Sequence, residues 1–417
     1  MTTVTDLAPA SAAPHRTIDT TGAPGPVVVV HSLTTLTGVC LNRDMMGLPK
    51  SVAIGGSERM RVSSQALIRA ARTWIRTHGT PGSDAASSRL LPQQTAQRLE
   101  LRGIDPADAL PAAALVVTAA GLSIDPAEPD KTRVMAYVPT TAPEVLADIV
   151  LHYWDNIKEQ RQAMEDLITT AVAAASGGKG RGRRSKTAKD EESSAAPAAR
   201  PADSLPAAMV TAARDAYAPG LTLEIALFGR MLAELPDGRV TSAVSVAHGM
   251  SVDPMDLLTD EYTAGDDWQD GGTFGAGMIG EQYLCSGTLY RCAHLDRNAL
   301  RRNLAASGAD PATVEVSAQR AEQLFTTAIT YALPNARSSR TGSAAWPTLA
   351  IAATTDAPLT AAAAFETPIA PPAGEQAAAR LAAYLGAAGL RGGTARWLSP
   401  TGAPAPQLPD TLTLETY

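Results

Sequence analysis

The sequence predicts an α+β fold for this chain of 417 residues. Strand-like and helix-like segments are mixed without the regular spacing of βαβ units that a doubly wound sheet needs. The β-branched run Val27-Val28-Val29-Val30 suits a buried strand. A helical apolar stripe begins after Ser63 and Ser64, and hydrophobic residues make up 45% of the chain, enough for a sizeable core. Aromatics are only 4%, so aliphatic and alanine packing must fill that core. At roughly 150 residues per domain, the length implies two to three domains, or one with large insertions.

Residues 1–25 are rich in Thr, Ala and Pro without a period and read as a mobile tail. Pro26 to Leu36 supplies the first strand. Ser51 to Val62 reads as a hairpin in which Gly55-Gly56 allows the positive φ angles of a tight turn. Either Ser63 or Ser64 can cap the helix that follows. In that helix Leu67, Ala71, Trp74 and Ile75 share one face, with Gln65, Arg69, Arg72 and Arg76 on the other.

A strand is predicted at Arg133–Val138 and a long helix at Ala142–Ala175. Ser176–Ser204 then breaks the pattern with glycines, prolines and six basic residues between Lys179 and Lys189, and reads as a flexible basic insertion. It suits a solvated linker or a nucleic-acid contact alike. Leu221–Ala233 has both strand and short-helix features. Val240–Val252, Gln282–Leu295 and 347–353 are strand candidates, and helices are predicted near 297–306, 312–333 and 374–389. No internal repeat is visible.

The longest uncharged stretch of the first half, Ala109–Ile124, is sixteen residues and falls short of the ~20 that span a bilayer. The start of the chain lacks the basic region of a signal peptide. Three cysteines, Cys40, Cys285 and Cys292, make no disulfide framework. A soluble, cytoplasmic protein is expected.

Net charge is −7, yet it is unevenly spread. Arg43 to Arg102 holds ten basic and four acidic residues, with no acid between Arg59 and Gly82. Phosphate affinity follows such a local field rather than the total. A hairpin carrying Arg59 and Arg61, a helix start whose N–H groups favour anions, and Arg69 and Arg72 beyond it would form one phosphate-contacting track. By themselves these residues point to a single-stranded nucleic-acid binder or, nearly as well, to a solvated cationic helix face.

Other chemistry is less well supported. The six histidines are scattered, with no HExxH, and neither a Walker A motif nor GxSxG occurs. The cluster Asp253, Asp256, Asp260, Glu261, Asp266, Asp267 and Asp270 could hold divalent metal in a nuclease, or be a solvated acidic loop. Asp44, beside Arg43, suits an ion pair or a turn.

The run Leu41-Asn42-Arg43-Asp44, then Pro49-Lys50, Gly55-Gly56, and Arg61-Val62-Ser63-Ser64-Gln65 leading into Arg69-Ala70-Ala71-Arg72 resembles the CasC family, the backbone subunit of type I-E CRISPR Cascade. So do Ala226-Leu227-Phe228-Gly229-Arg230-Met231, Ser245-Val246-Ala247-His248 and Ser286-Gly287-Thr288-Leu289-Tyr290-Arg291. The resemblance covers roughly residues 26–352 apart from Ser176–Ser204. It implies an RRM-like (ferredoxin-like) palm with a helical fingers insertion, about 73–220, and a thumb hairpin, about 232–282. A C-terminal helical segment and tail would occupy 353–417.

The resemblance also implies a role. Several copies would stack along a CRISPR RNA beside other Cascade subunits and present it to target DNA, each thumb kinking the RNA, with no catalytic activity and no membrane contact. Arg43, Lys50, Ser63, Ser64, Gln65, Arg69 and Arg72 would contact RNA phosphates. Arg230 and Met231 would lie near the kink, Met231 as an apolar wedge. Ile68 stands where relatives place a lysine, so one phosphate contact is missing. Lys179, Arg181, Arg183, Arg184, Lys186 and Lys189 stand in place of a lysine-bearing finger helix and are candidates for mobile duplex-DNA contacts. The alternatives are a metal-dependent nuclease using 253–270 and a general single-strand binder.

Overall fold

The computed structural model describes residues 18–20, 22–79, 84–125, 127–177, 201–232, 234–235, 238–264, 278–335, 338–342 and 344–416. In chain order the elements begin with β1 (Val27–Val39), β2 (Ser51–Ile54), β3 (Ser57–Val62), α1 (Ser64–His78) and β4 (Ala85–Ser88). There follow α2 (Leu91–Leu101), α3 (Pro106–Ala119), β5 (Ala136–Pro139), α4 (Ala142–His152), α5 (Trp154–Gly177), α6 (Ala207–Asp215) and α7 (Leu223–Phe228). Next come β6 (Val244–Val246), β7 (Gly249–Ser251), β8 (Asp256–Ala264), β9 (Met278–Asp296), α8 (Arg297–Ala305) and α9 (Pro311–Tyr331). The chain closes with α10 (Ser338–Thr341), β10 (Leu349–Thr355), α11 (Gly374–Gly386), β11 (Gly392–Trp397) and β12 (Leu412–Thr416). The mixture of helix and sheet is the α+β class that the sequence predicts.

Two compact units divide these elements. The first comprises Met1–Gly79, Ser242–Ala305 and Ala309–Tyr417; the second comprises Thr80–Thr241 with Ala306–Gly308.

The first unit is built on a sheet in the order β12-β11-β10-β1-β9-β7-β3-β2, with β6 and β8 also paired to β9. β1 sits centrally, antiparallel to β10 (Val27↔Thr355 to Leu33↔Leu349) and to β9 (Val27↔Asp296 to Thr35↔Thr288). Its valine run needs both faces covered, and both are. Val27, Val29 and Leu33 share an apolar cluster with Ile351 and with Ala377, Leu381 and Leu385 of α11. Val28 and Val30 point the other way and are equally buried. α9 packs on β1 as well as on α1.

The second unit centres on α3. Ala109, Ala112–Val117 and Ala119 are all buried among residues of α2, α4, α5 and α6. The uncharged stretch 109–124 is therefore the heart of a globular core. No helix among the described residues is long and apolar enough to cross a membrane.

Several expectations change. The long helix predicted at 142–175 is two, α4 and α5, with a break at Tyr153 whose φ of −106° and ψ of 27° leave the helical region. The span 221–233 holds α7, with no strand among its described residues; Arg230 then makes an isolated bridge to Val240. Residues 353–417 hold more than a helix and tail, since β11 and β12 extend the sheet, β12 running parallel to β11.

The end of the N-terminal tail is docked rather than mobile. Ile18 and Thr20 are buried, and the Asp19 and Thr20 carbonyls accept from Thr394 Oγ1 (2.8 Å) and Arg297 Nη2 (2.9 Å). Arg297 also pairs with the buried Glu322, which accepts from Thr20 Oγ1 at 2.5 Å. Satisfied backbone groups and one shared ion pair hold the segment down. Residues 1–17 lie outside the described residues.

Candidate nucleic-acid interface

The hairpin comes first. β2 and β3 pair from Ser51↔Met60 to Ile54↔Ser57 around Gly55 (φ 60°) and Gly56 (φ 78°), as the two-residue turn requires. A Cβ on Gly55 would also fall 1.7 Å from the Glu366 carbonyl oxygen. β3 then pairs with β7 and delivers the chain to α1.

Asn42 gathers the site. Its Oδ1 accepts the Ser63 N–H at 2.9 Å, and its carbonyl accepts the Lys50 N–H at 2.8 Å. Lys50 in turn accepts the Arg61 N–H at 2.8 Å, and Arg43 bridges to Pro49. The backbone at Arg43, Lys50, Ser63 and Ser64 is thus locked into one framework. The sequence signals Asn42 only by its place between Leu41 and Arg43, because the partner its side chain holds lies 21 positions away. Asp44 is the turn residue. Its Oδ1 accepts the N–H groups of Met46 (2.8 Å) and Leu48 (2.9 Å).

Ser63, not Ser64, caps α1: Ser63 Oγ accepts the Ala66 N–H at 3.3 Å. The Ser64 N–H donates to His248 Nδ1 at 2.9 Å, a positioning contact that sequence reasoning did not foresee. The helix start is therefore largely satisfied from within. Gln65 remains exposed at its mouth. Leu67, Ala71 and Ile75 are buried; Gln65, Arg69 and Arg76 are exposed and Arg72 is half-buried, as the period predicts. Trp74 is half-buried and stacks on His78 at 4.1 Å.

Arg59 departs from expectation. It is 0% exposed, and its guanidinium donates to the carbonyls of Ser251 (3.0 Å), Val252 (2.8 Å), Phe365 (3.3 Å) and Glu366 (3.2 Å). Burial lowers its pKa, against the opposing charge of Asp253. Arg59 is a brace inside the unit and cannot belong to a surface track; Arg61 remains half-buried.

The acidic cluster does not gather as a metal site where it can be seen. Asp253 is buried and accepts the Thr288 N–H at 2.9 Å. Burial pushes its pKa up, against the pull of that N–H and of Arg59. Asp256, Asp260 and Glu261 are spread along β8, and Asp260 accepts from Gln282 Nε2 at 2.5 Å. Asp266, Asp267 and Asp270 lie outside the described residues. Among the described residues no three His, Cys, Asp or Glu side chains are grouped to hold a metal ion. Burial pushes the Cys285 thiol up to about 12 and Cys292 up to about 11, so neither is a ready nucleophile.

In the second unit, α7 ends at Gly229 (φ 72°), which turns the chain into Arg230 and Met231. Arg230 is buried: Nε donates to the Gly238 carbonyl at 3.0 Å, Nη1 donates to the Tyr217 carbonyl, and burial lowers its pKa. Met231 is 78% exposed. Arg230 therefore holds the loop, and Met231 is what the loop presents. Lys179, Arg181, Arg183, Arg184, Lys186 and Lys189 lie outside the described residues.

The first unit thus offers an ordered cationic strand–loop–helix surface suited to a phosphate chain, without an assembled catalytic group among the described residues. The CT1975-like protein family model matches residues 28–396, and the chain belongs to that family. Among solved structures it is similar to a chain described as "CRISPR RNA-guided surveillance complex, pre-nicking", 28% identical at a TM-score of 0.70 over 94% of this chain and 96% of that one. A second, described as "CRISPR RNA-guided surveillance complex", is 26% identical at a TM-score of 0.60, covering 90% and 93%. No curated protein matches the chain.

Proposed function

We propose that this chain is a non-catalytic, guide-RNA-binding subunit of a Cascade-type CRISPR surveillance complex. The observation that carries the reading is the likeness, over nearly the whole of both chains, to subunits of two RNA-guided surveillance complexes. The surface framework around Asn42 supports it independently. Arg43, Lys50, Ser64, Gln65, Arg69 and Arg72 contact RNA phosphates; Ser63, His248 and Arg230 act by positioning. Met231 is the apolar wedge at the kink.

The finer reading is the type I-E backbone subunit, a cytoplasmic protein stacking head to tail in several copies along the spacer and joining other Cascade subunits at the ends. In the first unit β1, α1, β7, β9, α9 and β10 occur in that chain order, with β10-β1-β9-β7 as neighbours in the sheet. That arrangement supports an RRM-like palm. The long β8–β9 pairing, Asp256↔Ser286 to Ala264↔Met278, supports a thumb hairpin. Base pairing by the guide, rather than this chain, then selects target DNA, and the Lys179–Lys189 run adds contacts to duplex DNA.

The test is co-expression with the partner subunits and a repeat–spacer transcript, followed by sizing of the particle and its RNA. A multi-copy particle that protects RNA and survives magnesium is expected, with R69A/R72A reducing the RNA retained. A particle free of RNA, or RNA cleaved in magnesium by this chain, would overturn the reading.

A further inference from the structure

The turn between Arg43 and Lys50 carries two adjacent side chains that the fold leaves wholly outside. Met45 is 105% exposed and Met46 81%. The turn beneath them is tightly built: the Asp44 carboxylate holds the Met46 and Leu48 N–H groups, and the Asp44 N–H donates to the Leu48 carbonyl at 2.9 Å. Asp44 is thereby spent on the turn. Arg43 and Lys50 close its base, tied through Asn42 to the start of α1. Two thioethers thus stand on a pre-formed tip with a cation on each flank. Preorganisation lowers the ordering cost of a contact made there.

Resting on the guide-RNA reading, we propose that Met45 and Met46 form an apolar base-contacting tip, packing on the faces of guide-RNA nucleobases while Arg43 and Lys50 hold the phosphates on either side. The chemistry favours a base over a protein surface. Polarisable sulfur packs well against aromatic rings, and apolar side chains can occupy the space between partly unstacked bases. A protein interface of ordinary strength needs a patch far larger than two side chains, whereas a tip of two apolar residues between cations matches the alternation of base and phosphate. The contact is separate from Met231, which belongs to the second unit.

The experiment uses the assembled complex with its co-expressed repeat–spacer RNA. Peroxide oxidation read residue by residue by mass spectrometry should be slowed at Met45 and Met46 about fivefold or more when RNA is bound. M45S/M46S, exposed and therefore harmless to folding, should weaken RNA retention about tenfold at low and high salt alike, leaving the salt slope unchanged. R43A/K50A should instead flatten that slope. Equal oxidation with and without bound RNA overturns the proposal while leaving the guide-RNA reading intact. Protection that appears on assembly before RNA is added assigns the tip to a protein neighbour and overturns it too. A complex that takes up no RNA overturns both.

Discussion

His31 sits in the middle of β1 with no exposure, its Nδ1 2.9 Å from the Tyr290 hydroxyl and its Nε2 without a partner. Burial, helped by the charge His294 would carry, lowers its pKa to about 3. An unfolded histidine takes up a proton near pH 6.5, so between that pH and about 3 the unfolded chain binds a proton the folded chain refuses. Stability from this group is complete above about pH 6.5 and falls with pH, at a slope approaching ~1.4 kcal/mol per pH unit. Denaturant unfolding across pH 7 to 3.5 should show a shallower acid loss in H31N than in the wild type; parallel curves would contradict it. Arg59 gives a second contrast. R59A removes a donor from four carbonyls, of which Val252's keeps the Ile369 N–H, and should cost about 3 kcal/mol or more, while R69A, on an exposed face, should stay within about 0.5 kcal/mol of wild type; urea midpoints separate them. In sequence the two arginines look alike. Arg69 is legible because the period of α1 fixes its face; Arg59 is not, because the carbonyls that accept it lie 192 to 307 positions away.

At the scale of the element, local signals serve where the element is self-contained. The β2–β3 hairpin follows from Gly55-Gly56, and α1 from its cap and stripe, both visible within a few residues. The cap is also testable. S63A should lower stability by about 1 kcal/mol and, because Ser63 Oγ sets the first turn of α1, should loosen amide protection there before it affects the sheet. Hydrogen exchange confined to the Ser64–Leu67 amides is the expected signature; uniform loss across the unit would contradict it. β11 and β12 escape the sequence for the opposite reason. Gly392-Gly393 opens β11, and only the close approach of β10, where a Cβ on Gly393 would lie 2.1 Å from the Ala352 carbonyl oxygen, explains glycine in a strand. The docking of residues 18–20 is equally long-range, since Arg297 and Glu322 are the partners that make it.

For the whole molecule, the net charge of −7 conceals a first unit whose cations are sorted by the fold into braces and contacts. Arg59 and Arg291 are buried among carbonyls, whereas Arg43 and Arg69 face outward. Sequence motifs placed cations along this surface and carried the family resemblance; the fold adds which of those cations are buried as braces and which face outward. The most direct test of that sorting is the salt dependence of guide-RNA binding by the assembled complex, wild type against R69A/R72A. Each single-stranded phosphate contact contributes about 0.7 to the slope of log affinity against log salt. The double variant should bind more weakly at low salt, with the slope reduced by about 1.4. An unchanged affinity and slope would contradict the placement of the RNA on α1.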